Sequence, residues 1–231
     1  MKLKSLFNNF ISIFYPKLCV VCKNPLMENE DFFCMHCLLQ LPKTNHHIHS
    51  SNAASERLLG KASVKRASAY LFYHKGGIAQ KVISEIKYQG NQPLGQWIGT
   101  YLAKDMLSSD FFDGIDYIVP VPLHRKKRKI RGFNQAEEIG KGVSLVTSIP
   151  MDNENLYRKH ANSSQTKKGV FERWQNSQEI FDLIDNKIFS GKHILIIDDV
   201  LTTGATVEAC VECIRKSDNV KVSFLALAIA Q

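Results

Sequence analysis

The sequence predicts an α/β fold in which helices flank a parallel β-sheet. Apolar runs of strand length alternate with runs of helical periodicity through most of the chain, an alternation that is typical of parallel sheets. The run at 194–197, Ile-Leu-Ile-Ile, is apolar at every position, as expected for a strand buried on both faces. Hydrophobic residues make up 44% of the 231 residues and charged residues 23%, so the composition excludes a disordered chain.

Periodicity and breaker residues define the expected elements. Strands are predicted at 67–73, 117–122, 194–197 and 220–228. Helices are predicted at 78–88, 94–107, 133–146 and 204–214. Cys210 and Cys213 lie on one apolar face of the last helix, so core packing explains this pair better than redox chemistry.

The first fourteen residues carry apolar side chains at helical spacing, which predicts an amphipathic helix that packs on the body of the protein. Asn8 and Asn9 interrupt the apolar stretch that a secretory signal peptide would need. No apolar run reaches the length that spans a bilayer. We therefore expect a cytoplasmic protein, with peripheral contact at the inner face of the membrane as the alternative.

Two Cys-x-x-Cys pairs, separated by eleven residues, lie near the N-terminus. Four thiolates would complete a closed tetrahedral shell around Zn²⁺, which is the arrangement of a structural site. The alternatives are two disulfides or four free thiols, and His36 within the second pair is an alternative ligand. The predicted ligands are Cys19, Cys22, Cys34 and Cys37.

The composition divides the chain into three parts. Residues 1–42 hold the predicted N-terminal helix and the zinc knuckle, and residues 61–231 hold the α/β domain. Residues 43–60 are polar and rich in breakers, which predicts a linker. Its three histidines are expected to be solvated rather than to bind a metal.

Asp198 and Asp199 follow the buried run at 194–197, at the strand end where open α/β sheets bind ligands. A hydroxyl-rich turn comes next and leads into a helix, whose N-terminal N–H groups suit a phosphate. Gly204 allows the backbone to approach a ligand closely. Because carboxylates suit sugar hydroxyls, the stretch predicts a sugar phosphate site; the alternative is a buried strand with an ordinary Asp/Thr helix cap.

Residues 125–131 contain six cations in seven positions and account for six of the eight net positive charges. The run is interpreted as a solvated loop, as counter-charge for a phosphorylated ligand, or as a contact for a nucleic-acid backbone. The nucleic-acid candidates are Arg125, Lys126, Lys127, Arg128, Lys129 and Arg131.

The stretch 194–206 resembles the signature of the type I phosphoribosyltransferases, which bind 5-phosphoribosyl-1-pyrophosphate (PRPP). The resemblance implies that Asp198 and Asp199 hold the ribose hydroxyls, and that Mg²⁺ accompanies PRPP as the donor in a transfer reaction. It implies a 5-phosphate loop formed by Leu201, Thr202, Thr203, Gly204, Ala205 and Thr206.

The order of motifs is similar to that of the ComF-type family, which is labelled amidophosphoribosyltransferase-like. The cysteine pairs, Val-Pro-Val-Pro at 119–122 and Arg-Gly-Phe-Asn-Gln at 131–135 carry this resemblance. It implies a type I phosphoribosyltransferase-like sheet behind a zinc knuckle. It implies a pyrophosphate loop at Val121, Pro122, Leu123, His124 and Arg125. It implies a flexible loop with matching polar residues at Arg158, Ser164, Gln165, Thr166, Lys168 and Arg173.

The resemblance also implies a role in natural competence, in which the protein handles imported single-stranded DNA and meets proteins of the DNA-uptake machinery. The candidates for base stacking are Phe133, Trp97 and Trp174. Leu123 and His124 replace the small residue and glycine of many type I enzymes, a departure that bears on turnover more than on PRPP binding. Two alternatives stay open: a metabolic phosphoribosyltransferase acting on a nitrogen nucleophile, and a zinc-knuckle interaction module with a vestigial pocket.

Overall fold

A four-stranded sheet forms the centre of the protein. The computed structural model describes residues 16–159 and 180–231. The sheet has the order β1-β6-β5-β2, and all three pairings are parallel. Its strands are β1 (Ala67–Tyr73), β2 (Tyr117–Pro120), β5 (His193–Leu201) and β6 (Lys221–Ala230). The parallel sheet predicted from the apolar runs is confirmed.

Seven α-helices lie within the described residues. They are α1 (Met35–Leu39), α2 (Ala53–Leu58), α3 (Ile78–Tyr88), α4 (Gln92–Met106), α5 (Arg125–Arg131), α6 (Gln135–Thr147) and α7 (Ala205–Ile214). Strands β3 (Leu156–Arg158) and β4 (Phe181–Leu183) pair as a separate antiparallel ribbon, and short 3₁₀ helices span His46–Ile48 and Asn186–Phe189. None of the described helices has the length and hydropathy needed to cross a bilayer. The predicted helix at the extreme N-terminus lies outside the described residues.

Helices cover both faces of the sheet. In β5, Leu195 and Ile197 face a cluster that contains α3, α4, α6 and the cysteine-rich segment, whereas Ile194 and Ile196 face α2 and α7. This double burial explains why the strand is apolar at every position. Cys210 and Cys213 are buried in the second cluster, which agrees with the core-packing interpretation.

Helices α4 and α6 pack with their backbones in contact. A Cβ atom at Gly99 would lie 2.2 Å from the carbonyl oxygen of Ile139, and one at Gly142 would lie 2.1 Å from that of Gln96. Only glycine fits at either position without moving a backbone. This close approach fixes α6, which begins beside the carboxyl end of β2.

Residues 43–60 are a packed part of the body, which corrects their interpretation as a linker. Thr44 N–H donates to the carbonyl of Tyr70, so the segment lies along the outer edge of β1. Asn52 is buried; its side-chain oxygen caps α2 and its amide donates to the carbonyl of Ala67. His46 and His47 are also buried, and burial lowers the pKa of both rings. The breaker residues here encode caps and turns.

Candidate functional site

The two adjacent carboxylates lie in the second half of β5. Strand β2 ends at Pro120, opposite Ile197, so from Asp198 onward β5 continues beyond its neighbour on that side. Asp199 Oδ1 accepts a hydrogen bond of 2.8 Å from Lys87 Nζ at the end of α3. Burial and the neighbouring Asp199 raise the pKa of Asp198 to about 7. One acid is therefore ion-paired, and the other is divided between its neutral and charged forms near neutral pH.

Residues 202–206, called the 202–206 turn, comprise the tight turn after β5 and the first two residues of α7. Gly204 adopts a φ of 88° and forms the N-cap of α7, a left-handed conformation that favours glycine. A Cβ atom there would also lie 3.0 Å from a methyl group of Leu58. Thr202, Thr203 and Thr206 are exposed, so their hydroxyls can reach a ligand at the helix N-terminus.

Helix α2 and the residues after it hold this turn from behind. Arg57 Nη1 donates to the carbonyl oxygen of Thr202 at 2.6 Å, and Lys61 Nζ donates to that of Thr203 at 2.8 Å. In a planar trans peptide the C=O and N–H groups point in opposite directions. Fixing these two carbonyls toward α2 therefore turns the N–H groups that follow them away from it. No motif spacing in the sequence signals either basic residue.

The loop at 121–125 lies beside the carboxylates at the end of β2. Val121 N–H donates to the carbonyl oxygen of Ile197 at 2.9 Å, and Val121 O accepts a 2.9 Å hydrogen bond from Asn134 Nδ2. His124 caps α5 through its ring nitrogen. Both ends of the loop are thus fixed by hydrogen bonds, one of them from the Arg-Gly-Phe-Asn-Gln motif.

The basic run forms helix α5, none of whose residues is buried. The Arg131 guanidinium lies over the ring of Tyr88, 5.5 Å from its centroid, and donates to Gln135 Oε1 at 2.7 Å. Arg128 pairs with Glu137 at 3.5 Å. The other four cations of the run are exposed, so α5 presents a charged surface that is anchored at its C-terminal end.

A cavity of about 440 Å³ separates α5 from the β3–β4 ribbon. Arg158 lines it together with Arg125 and Arg128, whereas none of residues 198–206 does. The structure therefore places Arg158 at the cavity that borders the basic helix. The other residues assigned to the flexible loop lie outside the described residues: Ser164, Gln165, Thr166, Lys168 and Arg173.

Two of the three aromatic residues suggested for base stacking, Trp97 and Phe133, pack in or against the core. Trp97 stacks on Tyr101 at 5.2 Å and packs against Phe33, also at 5.2 Å, and Phe133 is buried. Trp174 lies outside the described residues. Tyr88, which sequence reasoning overlooked, is 71% exposed beside the basic helix. Only its contact with Arg131, made in the folded chain, distinguishes it from an ordinary surface tyrosine.

The four N-terminal cysteines form one cluster. Their sulfur atoms all lie within 4.8 Å of one another, no disulfide joins them, and Cys22 Sγ is 3.7 Å from Cys34 Sγ. Four thiolates at a Zn–S distance of about 2.3 Å from a tetrahedral metal would be separated by about 3.8 Å. The cluster could therefore hold a metal ion and is consistent with structural zinc. His36 is exposed, and among the described residues no other such cluster occurs.

Backbone donors favour the anionic form of Cys19, whereas burial and the neighbouring thiols raise the pKa of Cys37. Burial opposes ionisation of Cys19, but hydrogen bonds from backbone groups of Cys22, Cys34 and Val21 outweigh burial and lower the pKa of the thiol to about 6. The segment is attached to the α/β body, because Phe33 packs on Trp97 and Lys81 of α3 donates to the Val21 carbonyl. A metal held here would brace the face of the sheet that carries α3 and α4.

Comparisons with known proteins agree with this architecture. Residues 139–228 match the family model described as the phosphoribosyl transferase domain. The chain is 26% identical to "Competence protein ComFC" of Bacillus subtilis (strain 168), over 91% of this chain and 83% of the relative. It is 23% identical to "DNA utilization protein YhgH" of Escherichia coli O157:H7, over 92% and 96%.

Among solved structures, an adenine phosphoribosyltransferase is similar with a TM-score of 0.39 and 20% identity, over 60% of this chain and 71% of that one. The two curated relatives match nearly the whole chain, and the domain model matches the part that contains β5 and the 202–206 turn. These similarities support the ComF-type family for this chain, with a type I phosphoribosyltransferase fold and an N-terminal four-cysteine cluster.

Proposed function

We propose that this protein binds PRPP with Mg²⁺ at the carboxyl end of β5 and handles single-stranded DNA with helix α5. The observation that carries the proposal is the placement of two adjacent carboxylates and an exposed threonine-rich turn at one strand end, beside a cationic helix. The relatives' names, a competence protein and a DNA utilization protein, supply the cellular context that we infer.

The sugar part of the site would work through complementary hydrogen bonding. Asp198 and Asp199 would accept hydrogen bonds from the ribose hydroxyls, and the threonine hydroxyls with the N–H groups at the start of α7 would donate to the 5-phosphate. The 121–125 loop would face the pyrophosphate. The Mg²⁺ that accompanies PRPP would supply charge neutralisation between the ribose and the pyrophosphate.

The DNA part of the proposal rests on the surface of α5. Four exposed cations along one short helix can neutralise strand phosphates, and each neutralised phosphate releases counterions and makes binding salt-dependent. Arg125 and Arg128 also line the 440 Å³ cavity with Arg158, which extends the cationic surface to the β3–β4 ribbon. Arginine suits phosphate because its planar fork can donate two hydrogen bonds at once.

The N-terminal cluster is proposed to hold a structural Zn²⁺. Cys19, Cys22, Cys34 and Cys37 would complete the shell and leave no open position for chemistry. We propose that residues 1–42 act as a unit on the α/β domain of residues 61–231. Residues 43–60 join the two while packing along β1.

Phosphoribosyl transfer to a nitrogen nucleophile is a second candidate function. The observation that favours it is the cavity of about 440 Å³ between α5 and the β3–β4 ribbon, because an acceptor needs room to approach C1 of the ribose on the face opposite the departing pyrophosphate. In that reaction the acceptor nitrogen bonds to C1 of the ribose as the bond from C1 to the pyrophosphate oxygen breaks. The pyrophosphate leaves with the electron pair, and the acceptor nitrogen gives up its proton.

Calorimetric titration of PRPP with Mg²⁺ into zinc-loaded protein tests the ligand. Wild type should bind and the Asp198→Asn/Asp199→Asn variant should not, because each substitution replaces an acceptor oxygen with an amide nitrogen that only donates. A folded wild type that shows no heat of binding and no thermal shift would overturn the proposal. Release of pyrophosphate on adding candidate nitrogen nucleophiles would show that the protein also catalyses phosphoribosyl transfer.

Fluorescence anisotropy with labelled single-stranded DNA at several salt concentrations tests α5. The Lys126→Gln/Lys127→Gln/Lys129→Gln variant should weaken binding and flatten its salt dependence by about 0.7 in slope for each strand phosphate that is no longer neutralised. The control is Lys104→Gln/Lys187→Gln/Lys221→Gln, which removes equal charge from exposed positions elsewhere. Equal losses of affinity in the two triple variants would show that net charge, not α5, drives binding.

A further inference from the structure

The ammonium group of Lys87 contacts Asp199, one of the two adjacent carboxylates. Lys87 Nζ is 2.8 Å from Asp199 Oδ1, although 112 positions separate the two residues in sequence. Their side chains are only 19% and 18% exposed, so this ion pair is largely removed from solvent. Most surface ion pairs are worth little, but a pair shielded in this way has a defined geometry and a stronger field.

The fold holds Lys87 in this place. Helix α3 is anchored on the sheet by its buried face, which includes Val82 and Ile86, and Lys87 lies one residue before the helix ends. The lysine stem packs in a small pocket with Gln135 and Leu227. The charged group therefore reaches the end of β5 along an apolar wall and is not a mobile surface cation.

We propose that Lys87 is a ligand-binding residue of the proposed PRPP site. Its ammonium group donates to the pyrophosphate when PRPP is bound. This inference rests on the proposed function. Two adjacent carboxylates repel each other and repel a ligand that carries a phosphate and a pyrophosphate. A cation paired with Asp199 offsets both repulsions, and its four-carbon stem allows the charge to move from the carboxylate to a phosphate.

The neighbouring residue connects this cation to the basic helix. Tyr88 follows Lys87 and carries the Arg131 guanidinium on its ring, while Arg131 also donates to Gln135. Successive helix residues point about 100° apart, so Lys87 is directed at β5 and Tyr88 at α5. The end of α3 is thus held on two sides, by Asp199 of β5 and by Arg131 of α5.

The test compares two ligands in the Lys87→Met variant. PRPP affinity should fall at least about tenfold, whereas the affinity for ribose 5-phosphate, which lacks the pyrophosphate, should change less than about twofold. Lys87→Arg should recover part of the PRPP affinity. The matched control is Lys104→Met on α4, an exposed lysine, which should leave both affinities unchanged.

Circular dichroism, thermal unfolding and zinc content establish that each variant is folded. Unchanged PRPP affinity in folded Lys87→Met, with wild type binding normally, would overturn this inference and leave the proposed function intact. Equal losses of affinity for both ligands would also overturn it, because the lysine would then act only through Asp199. Absence of binding in folded wild type would instead overturn the proposed function and this inference with it.

Discussion

The side-chain amide of Asn134 donates a 2.9 Å hydrogen bond to the carbonyl oxygen of Val121. Asn134 also caps α6, because its side-chain oxygen accepts from Ala136 N–H. One buried side chain thereby ties the start of α6 to the loop at the end of β2. The other motif residues serve the same junction: Gly132 ends α5 with a φ of 80°, and Gln135 holds Arg131.

Replacing Asn134 should destabilise the protein through this junction. Asn134→Ala removes the cap and leaves the Val121 carbonyl without its partner, which should cost about 1–3 kcal/mol in urea unfolding. Asn134→Asp keeps the cap but loses the donor, so it should also destabilise. Asn153→Ala, at an exposed asparagine, is the control and should stay within about 0.5 kcal/mol. An Asn134→Asp variant as stable as wild type would show that the hydrogen bond from Asn134 to the Val121 carbonyl does not stabilise the protein.

Two helical glycines should respond differently to alanine. In Gly99→Ala the new methyl meets the Ile139 backbone at 2.2 Å, so we expect a loss of about 2 kcal/mol or more of unfolding free energy. In Gly140→Ala it meets the Met151 sulfur at 3.0 Å. The flexible Met151 side chain can move aside, and alanine favours a helix over glycine by about 1 kcal/mol. Gly140→Ala should therefore cost less unfolding free energy than Gly99→Ala. Urea unfolding of both variants checks the contrast, and similar losses of stability would contradict it.

Structural features that depend on a few neighbouring residues could be predicted from the sequence. The apolar run at 194–197 predicted a doubly buried parallel strand, and helix α3 has the bounds expected from its periodicity. The Cys-x-x-Cys spacing predicted the cluster because each pair places two sulfurs on one turn. In each case the signal and the structure involve the same few residues.

Contacts between distant segments were not predictable. Arg57 is 145 positions from Thr202, and Lys87 is 112 from Asp199; only the folded sheet brings them together. Asn52 shows a second reason. Its polar, breaker-rich surroundings are typical of linkers and equally of caps, and only the burial of Asn52 against β1 distinguishes the two.

The carboxylate pair should reduce stability as pH rises. Burial and Asp199 raise the pKa of Asp198 to about 7 from its ordinary 3.8, so between these values the folded state binds a proton that the unfolded state has released. The free energy of unfolding that Asp198 contributes in the wild type therefore falls as pH rises toward 7. Asp198→Asn removes this loss, so its advantage in melting temperature should be larger at pH 8 than at pH 5. An advantage that is equal at both pH values would contradict the raised pKa.

The four N-terminal cysteines should bind zinc, whereas the buried Cys210 and Cys213 should not. Zinc analysis should find one ion per chain in wild type and in Cys213→Ala. The Cys213 thiol is buried in the hydrophobic cluster on the α2 and α7 face of the sheet, away from the four N-terminal cysteines. Cys22→Ser should lose the metal and lower the melting temperature, since the segment has little apolar core of its own. A chelator should lower the melting temperature of wild type in the same way. One zinc per chain in Cys22→Ser would contradict the assigned ligand set.

Arg57 should act on ligand binding more than on stability. Its guanidinium holds the Thr202 carbonyl from an exposed position, so its removal should cost less than about 1 kcal/mol of unfolding free energy. The turn, however, would lose the donor that orients its peptide groups, because a small rotation there moves each N–H away from a bound phosphate. Arg57→Gln should therefore weaken PRPP and ribose 5-phosphate alike, by several-fold, whereas Lys87→Met is selective for PRPP. Calorimetry with both ligands separates the two residues. An Arg57→Gln variant with wild-type affinity for ribose 5-phosphate would show that the turn keeps its shape without the Arg57 hydrogen bond.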